Sequence, residues 1–192
     1  MAAPRVKQSW LSRASTLGRS WWGVLVIFLL TSGMVFQQWK YAHPTLVHHV
    51  VIGETVADID LMDTWGNPAR LVWRADPRPT FVYAFSPACV WCTRNLQALL
   101  TVTKQQRSYR MIGLSTTSGD LSEYVKAHDL GMPVYYLEKK QNRKTLRISA
   151  TPSAFLISPA GVVQKVWLGA WTGHAGQEIG VLFGVALPPI QR

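Results

Sequence analysis

An uninterrupted apolar run stands near the beginning of the chain. No residue of Trp21–Phe36 is charged, and four basic residues without a single acid precede this run. As a helix the run rises about 24 Å, and counting on to Trp39 brings its length closer to the roughly 30 Å hydrocarbon core of a bilayer. Aromatic residues stand at both ends, which is typical of membrane interfaces. The pattern predicts a transmembrane anchor over residues 21–39, a basic cytoplasmic segment over 1–20 and a linker over 40–50.

The basic flank also predicts the orientation of this anchor. Positive charge before the first span keeps the N-terminus in the cytoplasm, so residues 42–192 are expected on the other side, periplasmic or otherwise extracytoplasmic. The protein is then a single-pass protein of the cell inner membrane, with its main domain in an oxidising compartment. A cleaved signal peptide is the competing interpretation, although Thr31-Ser32-Gly33 matches a cleavage site poorly. A buried core helix is the third.

Beyond the linker, runs of strand length alternate with amphipathic runs of helical period. Thr80–Phe85 is apolar throughout, which is typical of a buried central strand. The order of the elements predicts an α/β layered domain over residues 51–192. The predicted strands are Asp58–Met62, Ala69–Arg74, Thr80–Phe85, Met111–Ser115, Pro133–Leu137, Ala154–Ser158 and Val162–Leu168. The predicted helices begin near Cys92, at Asp120 with the apolar face Leu121, Tyr124 and Val125, and at Thr172, the last reaching about Ala186.

Composition and charge narrow the class of protein. Of the 192 residues 48% are hydrophobic and 16% are charged, which suits a chain with a packed core and excludes a disordered one. The net charge is +10, and four of these charges lie before the apolar run. The remaining excess includes one cluster without interleaved aromatic residues or a nucleic-acid motif, so we expect a solvated surface and no nucleic-acid partner. That cluster comprises Lys139, Lys140, Arg143, Lys144 and Arg147.

The only two cysteines lie where the strand Thr80–Phe85 gives way to a helix, in the sequence Cys89-Val90-Trp91-Cys92. A cysteine in the first helical turn faces unpaired backbone N–H groups and the positive end of the helix dipole, and both stabilise a thiolate. Cys92 lies one turn further on and can close a small disulfide with Cys89. The spacing predicts a redox pair in which Cys89 attacks a substrate and Cys92 resolves the mixed disulfide.

Two other interpretations of the cysteine pair stay open. Half of a zinc site has the same spacing, but it needs two further ligands, and none of the five histidines belongs to a second paired cluster nearby. A purely structural disulfide would close a loop of only a few residues, which constrains the unfolded chain little. Both interpretations are weaker than the redox pair.

A second signal lies downstream, where Thr151-Pro152 precedes the predicted strand Ala154–Ser158. A proline that enters a strand is usually an ordinary first residue. Here the strand is expected beside the helix that carries the cysteines, and a cis peptide bond would present backbone groups to an incoming polypeptide. We therefore predict that Thr151 and Pro152 bind substrate together with the bulky Trp91.

With these motifs in place, nearly all of the exported part resembles the thioredoxin superfamily and, within it, the membrane-anchored TlpA/ResA-type thiol–disulfide oxidoreductases. Gly53 and Leu61–Gly66 resemble the N-terminal hairpin that those proteins add to the core. Phe85–Cys92 is similar to their active-site turn, and Thr151–Ile157 is similar to their cis-proline strand. Gly161 matches the turn that follows.

The resemblance implies both a fold and a function. The fold would be thioredoxin-like, with a central mixed sheet flanked by helices, an N-terminal β-hairpin and the N-terminal transmembrane helix. The function would be thiol–disulfide exchange on exported proteins, usually as a reductant in cytochrome c biogenesis or similar routes, recharged by a membrane electron-donating thiol reductase. No metal and no cofactor beyond the redox-active disulfide Cys89–Cys92 are implied.

Several positions depart from the family pattern. Ala88 replaces the usual tryptophan before the first cysteine, and Val-Trp without proline separates the two cysteines. The positions at which relatives carry a buried acid hold Tyr83 and Asn95. The group that moves a proton to or from Cys92 is therefore open, with water, Tyr83 and a remote carboxylate as alternatives.

Two functional alternatives remain. A peroxiredoxin shares the layout of hairpin plus core, but it requires a proline seven residues before its reactive cysteine, where this chain has Val82; Ser86 fits the second required position. A non-catalytic thioredoxin-like binding or assembly module, with a structural disulfide, is the alternative from another class of function.

Overall fold

The computed structural model describes four parts of the chain, which are residues 14–42, 50–105, 107–137 and 145–190. These parts form two compact units. The predicted basic cluster lies mostly outside the described residues, as do residues 1–13 of the basic segment and 43–49 of the linker.

The first unit contains one long helix, α1 (Ala14–Ala42). By length and composition, Trp21–Gln38 is apolar enough to cross a membrane, and all of its side chains are exposed. The helix extends beyond the predicted anchor at both ends.

The second unit is built around one seven-stranded sheet with the order β2-β1-β5-β4-β3-β6-β7. Its strands are β1 (Ile59–Asp63), β2 (Pro68–Leu71), β3 (Thr80–Phe85), β4 (Arg110–Ser115), β5 (Val134–Tyr136), β6 (Ser153–Ile157) and β7 (Val163–Leu168). Its helices are α2 (Val90–Gln105), α3 (Ser122–His128) and α4 (Gly173–Phe183). Strands β3, β4 and β5 are parallel, and the other pairings are antiparallel. The predicted mixed sheet with flanking helices is confirmed.

Strand β3 lies inside the sheet and is buried on both faces, as its apolar sequence predicts. Because side chains alternate along a strand, Phe81, Tyr83 and Phe85 enter one core cluster while Val82 and Ala84 enter the other. The first cluster includes buried residues of α2 and α4, and the second includes residues that precede and follow β1. Strand β3 is therefore held within the core, and the two cysteines follow it in the chain.

The N-terminal hairpin is formed by β1 and β2, and β1 also pairs with β5. In its turn the Asp63 carboxylate accepts hydrogen bonds from the backbone N–H groups of Trp65 and Asn67. The prediction that β2 continues to Arg74 is wrong. The indole of Trp73 is buried and donates to the Ala57 carbonyl at 3.1 Å, which draws residues 73–75 into a short 3-10 turn.

A short arm before β1 pairs with the start of β7. The N–H groups of Gly53 and Val56 donate to the carbonyls of Val163 and Gly161, each at 2.8 Å. A Cβ atom at Gly161 would stand 2.7 Å from the Val56 carbonyl, and the residue has φ +79°. Glycine is therefore required at this turn because the arm passes directly over it.

Two helix ends differ from their predicted positions. Helix α3 begins at Ser122, one residue later than a helix capped by Asp120 would begin, although the Asp120 carboxylate accepts the Ser122 N–H at 2.8 Å as a capping residue does. Helix α4 ends at Phe183, three residues before Ala186. Gly184 adopts φ +66° there, a left-handed conformation that stops helices.

Candidate active site

The two cysteines lie at the start of α2, directly after β3. Cys89 precedes the first residue of the helix, so its carbonyl accepts the first helical hydrogen bonds, including that from Thr93 N–H at 3.1 Å. The Cys89 N–H donates to the Ser86 carbonyl at 3.0 Å, which closes the turn between strand and helix. The predicted placement of Cys89 at a helix start is what the structure has.

The two thiols differ in exposure and share a short network. Cys89 is partly exposed, whereas Cys92 is 3% exposed. The Cys92 N–H donates to Cys89 Sγ at 3.2 Å, and the Cys89 thiol donates to the Thr151 carbonyl at 3.3 Å. Both residues are free thiols in this structure. The arrangement presents one sulfur to solvent and keeps the second behind it.

The environment shifts the acidities of the two thiols in opposite directions. Burial raises the pKa of Cys89, but hydrogen bonds with Cys92 and Thr151 and with the backbone N–H groups of Cys92 and Trp91 outweigh it, so the net pKa is lowered. Burial and the hydrogen bond with Cys89 raise the pKa of Cys92 to about 12. Cys89 is therefore the thiol that ionises first.

The segment before β6 lies against Cys89. The Thr151–Pro152 peptide bond is cis, as the sequence predicts. Pro152 is buried, and its carbonyl accepts the Gly169 N–H at 2.8 Å, which holds the segment to the end of β7. The structure thus brings Thr151 and the cysteines together, although they are 62 residues apart in the chain.

Trp91 lies on the outer side of the first turn of α2 and is 46% exposed. The guanidinium carbon of Arg94 stands 4.8 Å from the centre of its ring, a cation–π contact. The neighbouring Val90 is 62% exposed. An apolar surface with one positive charge therefore borders the exposed sulfur.

Behind Cys92 the structure pairs the two positions at which the sequence departs from its relatives. Tyr83 and Asn95 are 2% and 0% exposed. Asn95 Nδ2 donates to the Tyr83 hydroxyl at 3.2 Å, and the Trp171 N–H donates to Asn95 Oδ1 at 3.0 Å. The Tyr83 ring packs edge-on against Trp171, with centroids 5.5 Å apart. The sequence identified both positions but not their mutual bond.

Tyr124 of α3 is a residue near the site that sequence reasoning assigned only to an apolar helix face. Its ring stacks on Phe85 with centroids 5.5 Å apart. Burial raises the pKa of Tyr124, and the charges of Cys92 and then Cys89 raise it further. Nothing in the sequence other than the helical period points to this position.

No group of three or more His, Cys, Asp or Glu side chains that could hold a metal lies within the residues that the structure describes. The groups that the structure places around Cys89 and Cys92 are the Thr151 carbonyl and neutral polar side chains.

No known family model matches the chain, and no curated protein matches it. Solved structures do. The chain is 17% identical to StoA from Bacillus subtilis with a TM-score of 0.52, covering 64% of this chain and 94% of that one. It is 19% identical to the thioredoxin domain of a thiol-disulfide oxidoreductase from Bacteroides vulgatus, with a TM-score of 0.56 and 70% and 99% covered.

A peroxidoxin, BcpB from Mycobacterium tuberculosis, is also similar, with 18% identity, a TM-score of 0.60 and 72% and 99% covered. Similarity at identities this low shows a shared architecture but does not show a shared reaction. The sheet order, the helix that starts at the cysteines and the neighbours agree with one another. The chain has a thioredoxin-like fold.

Proposed function

We propose that this protein is a thiol–disulfide oxidoreductase that acts through Cys89 and Cys92. The observation that carries the proposal is the asymmetry of the pair. Cys89 is partly exposed and its pKa is lowered, whereas Cys92 is buried and its pKa is raised. The two residues are in contact, because the Cys89 sulfur lies 3.2 Å from the Cys92 backbone nitrogen. A structural disulfide has no need of this difference. Thiol–disulfide exchange requires this difference, because one sulfur attacks the substrate first and the other attacks the mixed disulfide afterwards.

The reaction of the reduced pair has two steps. The Cys89 thiolate attacks one sulfur of a substrate disulfide, which forms a mixed disulfide and releases the first substrate thiolate, and that thiolate takes a proton from water. Cys92 then loses its proton to water and attacks Cys89 Sγ. The Cys89–substrate bond breaks, the second substrate sulfur leaves as a thiolate that takes a proton from water, and the pair is oxidised by two electrons to a disulfide.

Substrate binding falls to the groups around Cys89. In this proposal the Thr151 backbone pairs with an extended segment of the partner, a mode that tolerates many sequences. Pro152 keeps the segment against the sulfur, and the exposed Trp91 packs on the partner's apolar side chains. The partners are exported proteins that carry cysteines.

The proposed direction is reduction, with electrons supplied by a membrane thiol reductase and with apocytochrome c among the candidate substrates. The proposed location is the outer face of the inner membrane, anchored by residues 21–39 with 1–20 in the cytoplasm and 40–50 as linker to the domain 51–192. Support comes from the apolar helix α1 and from the basic residues that precede it. No metal or further cofactor enters the reaction.

Trapping of partners tests the assignment of the two cysteines. Cys89→Ser should abolish exchange, whereas Cys92→Ser should accumulate mixed disulfides that are visible on non-reducing gels and lost on reduction. The doubly substituted protein is the control for nonspecific association. Equal trapping by the two single variants would contradict the assigned roles.

The reduction potential of the cysteine pair tests direction and separates the alternative of a non-catalytic assembly module. A value near that of thioredoxin, about −270 mV, supports a reductant, and one near that of DsbA, about −120 mV, an oxidant. A pair that resists reduction and shows no exchange with substrate disulfides would favour the module. Consumption of peroxide with Cys89 intact would favour the peroxiredoxin alternative.

A further inference from the structure

A closed network of neutral polar groups lies behind the buried thiol. The Trp171 N–H is a backbone donor and cannot accept, so the atom of the Asn95 amide that faces it must be the oxygen. The amide nitrogen therefore faces the Tyr83 hydroxyl and donates to it. The Trp171 N–H thus determines the positions of the oxygen and nitrogen of the Asn95 amide, which cannot be assigned from the shape of the amide alone.

In this orientation the Tyr83 hydroxyl accepts a hydrogen bond and can still donate one. A phenol can accept and donate at the same time, and its acceptor side is occupied by Asn95 Nδ2 at 3.2 Å. Among the described residues the structure assigns no acceptor to the Tyr83 proton. A buried donor without an acceptor costs free energy, so an acceptor that forms during the reaction would be favoured.

Cys92 is the group placed to become that acceptor. Asn95 follows Cys92 by three positions on the buried face of α2, so the two side chains are neighbours along the helix. Tyr83 and Cys92 belong to the same core cluster. A thiolate at Cys92 carries a full negative charge, and charge-assisted hydrogen bonds are about twice as strong as neutral ones.

Other groups also act on Cys92. Hydrogen bonds with the Ser86 backbone and the Thr151 side chain lower its pKa, but burial and Cys89 outweigh them. On α3, the charge of Cys92 adds to the effect of burial and raises the pKa of Tyr124. No carboxylate is buried in the part of the chain that the structure describes. Burial, followed by the charge of Cys92, raises the pKa of Tyr83 far above its ordinary value, so its hydroxyl keeps its proton.

We propose that Tyr83, oriented by Asn95, donates a hydrogen bond to the Cys92 thiolate as the mixed disulfide is resolved. This inference rests on the proposed function. Tyr83 acts here as a neutral donor and not as an acid or a base, and Asn95 is a positioning residue. The proton of Cys92 leaves to water, and no proton passes through the tyrosine. The site thus stabilises the attacking thiolate without a carboxylate.

The test uses the reduced full chain in detergent micelles and the disulfide 5,5′-dithiobis(2-nitrobenzoate). Cys89 releases one coloured thiolate in a phase whose rate depends on concentration, and Cys92 releases the second in a phase whose rate does not. We expect Tyr83→Phe to leave the first phase unchanged and to slow the second about tenfold or more. The pH profile of the second phase should move up by about one unit.

Three further variants make the result decisive. Tyr109→Phe removes a hydroxyl at the opposite end of the strands and should change neither phase. Tyr124→Phe removes the competing donor and should have a smaller effect than Tyr83→Phe. Asn95→Asp keeps an oxygen for Trp171 but draws the Tyr83 proton to its carboxylate, so it should also slow the second phase.

The outcomes separate this inference from the proposed function. The absence of a second phase in the wild-type protein would contradict both the proposed function and the role of Tyr83. A normal second phase in Tyr83→Phe, an equal loss in Tyr109→Phe, or a larger loss in Tyr124→Phe would overturn the role of Tyr83 alone. A faster second phase in Asn95→Asp would indicate that this position works through a base, and it would overturn the neutral donor. Far-UV circular dichroism checks that each variant is folded.

Discussion

At the scale of single residues, the site works through the contrast between two identical side chains. Cys89 and Cys92 are three positions apart, yet one receives hydrogen bonds at the rim and the other is 3% exposed. Each environment alone is common in proteins, since helix starts lower the pKa of a thiol and apolar surroundings raise it. Their combination on one helical turn is what gives the pair a direction of attack.

The pH dependence of alkylation should report this contrast. Because the pKa of Cys89 is lowered, its thiolate and hence its labelling by iodoacetamide should persist to a pH below the ordinary thiol value of about 8.5. Cys92, whose pKa is about 12, should stay unlabelled across the same range. Peptide mass spectrometry after a short pulse on the reduced protein measures both sites.

Cys89→Ser provides the matched control, because it removes the hydrogen bond between the thiols but keeps Cys92 buried. Its remaining cysteine should react only after unfolding in guanidinium chloride. Equal labelling of the two cysteines in the folded wild-type protein would contradict the asymmetry.

At the scale of elements, local signals predicted more of the site than long-range ones. The strand Thr80–Phe85 and the helix start at the cysteines each have a signature within a few residues. The cis bond at Pro152 is predictable only in combination with the cysteine motif, because a proline at the start of a strand is by itself ordinary. The bond between Asn95 and the Trp171 N–H joins residues that are 76 positions apart. No periodicity or spacing encodes such a contact, which becomes visible only when the sheet is assembled.

The same distinction explains the errors at element ends. Trp73 continues an apolar pattern that favours a strand, yet its indole finds the Ala57 carbonyl and the chain turns. The sequence pattern predicts a last helix that passes Gly184, but that residue caps the helix in a left-handed conformation. In both places tertiary contact or a single flexible residue outweighs the average preference of the segment.

The contact between the N-terminal arm and the β6–β7 turn leads to a prediction. Gly161→Ala should destabilise the domain by about 2–4 kcal/mol, because it adds a clash with the Val56 carbonyl to the cost of a positive φ. Gly169→Ala is the control, since Gly169 has φ +85° but open space around it. It should cost only about 1–2 kcal/mol. Guanidinium unfolding followed by tryptophan fluorescence measures both.

Equal destabilisation by the two substitutions would mean that the arm moves aside at little cost. In that case the pairing of residues 53–56 with β7 contributes little to the stability of the domain.

At the scale of the whole molecule, the two units can be considered separately. Both core clusters of the second unit are built from residues between Val50 and Ile190. A domain with a complete core of its own needs no help from a terminal helix in order to fold.

Deletion of residues 1–41 should therefore yield a soluble, folded and redox-active domain. The thermal midpoint of the deleted protein should match that of the domain transition in the full chain, and the rate with a small disulfide should be unchanged. The full chain should require detergent in the same preparation. Aggregation of the deleted protein, or loss of its unfolding transition, would show that the domain depends on the removed segment.

The ends of the sheet order have a consequence for crowding at a surface. One outer strand, β2, begins with Pro68, which has no N–H to offer, and carries the exposed Arg70. The other, β7, is partly covered by the arm and carries the charged Lys165. Such features discourage a neighbouring chain from adding a strand. Collisions of this domain, with other copies or with unfolded polypeptides, are therefore expected to lead less readily to intermolecular sheets.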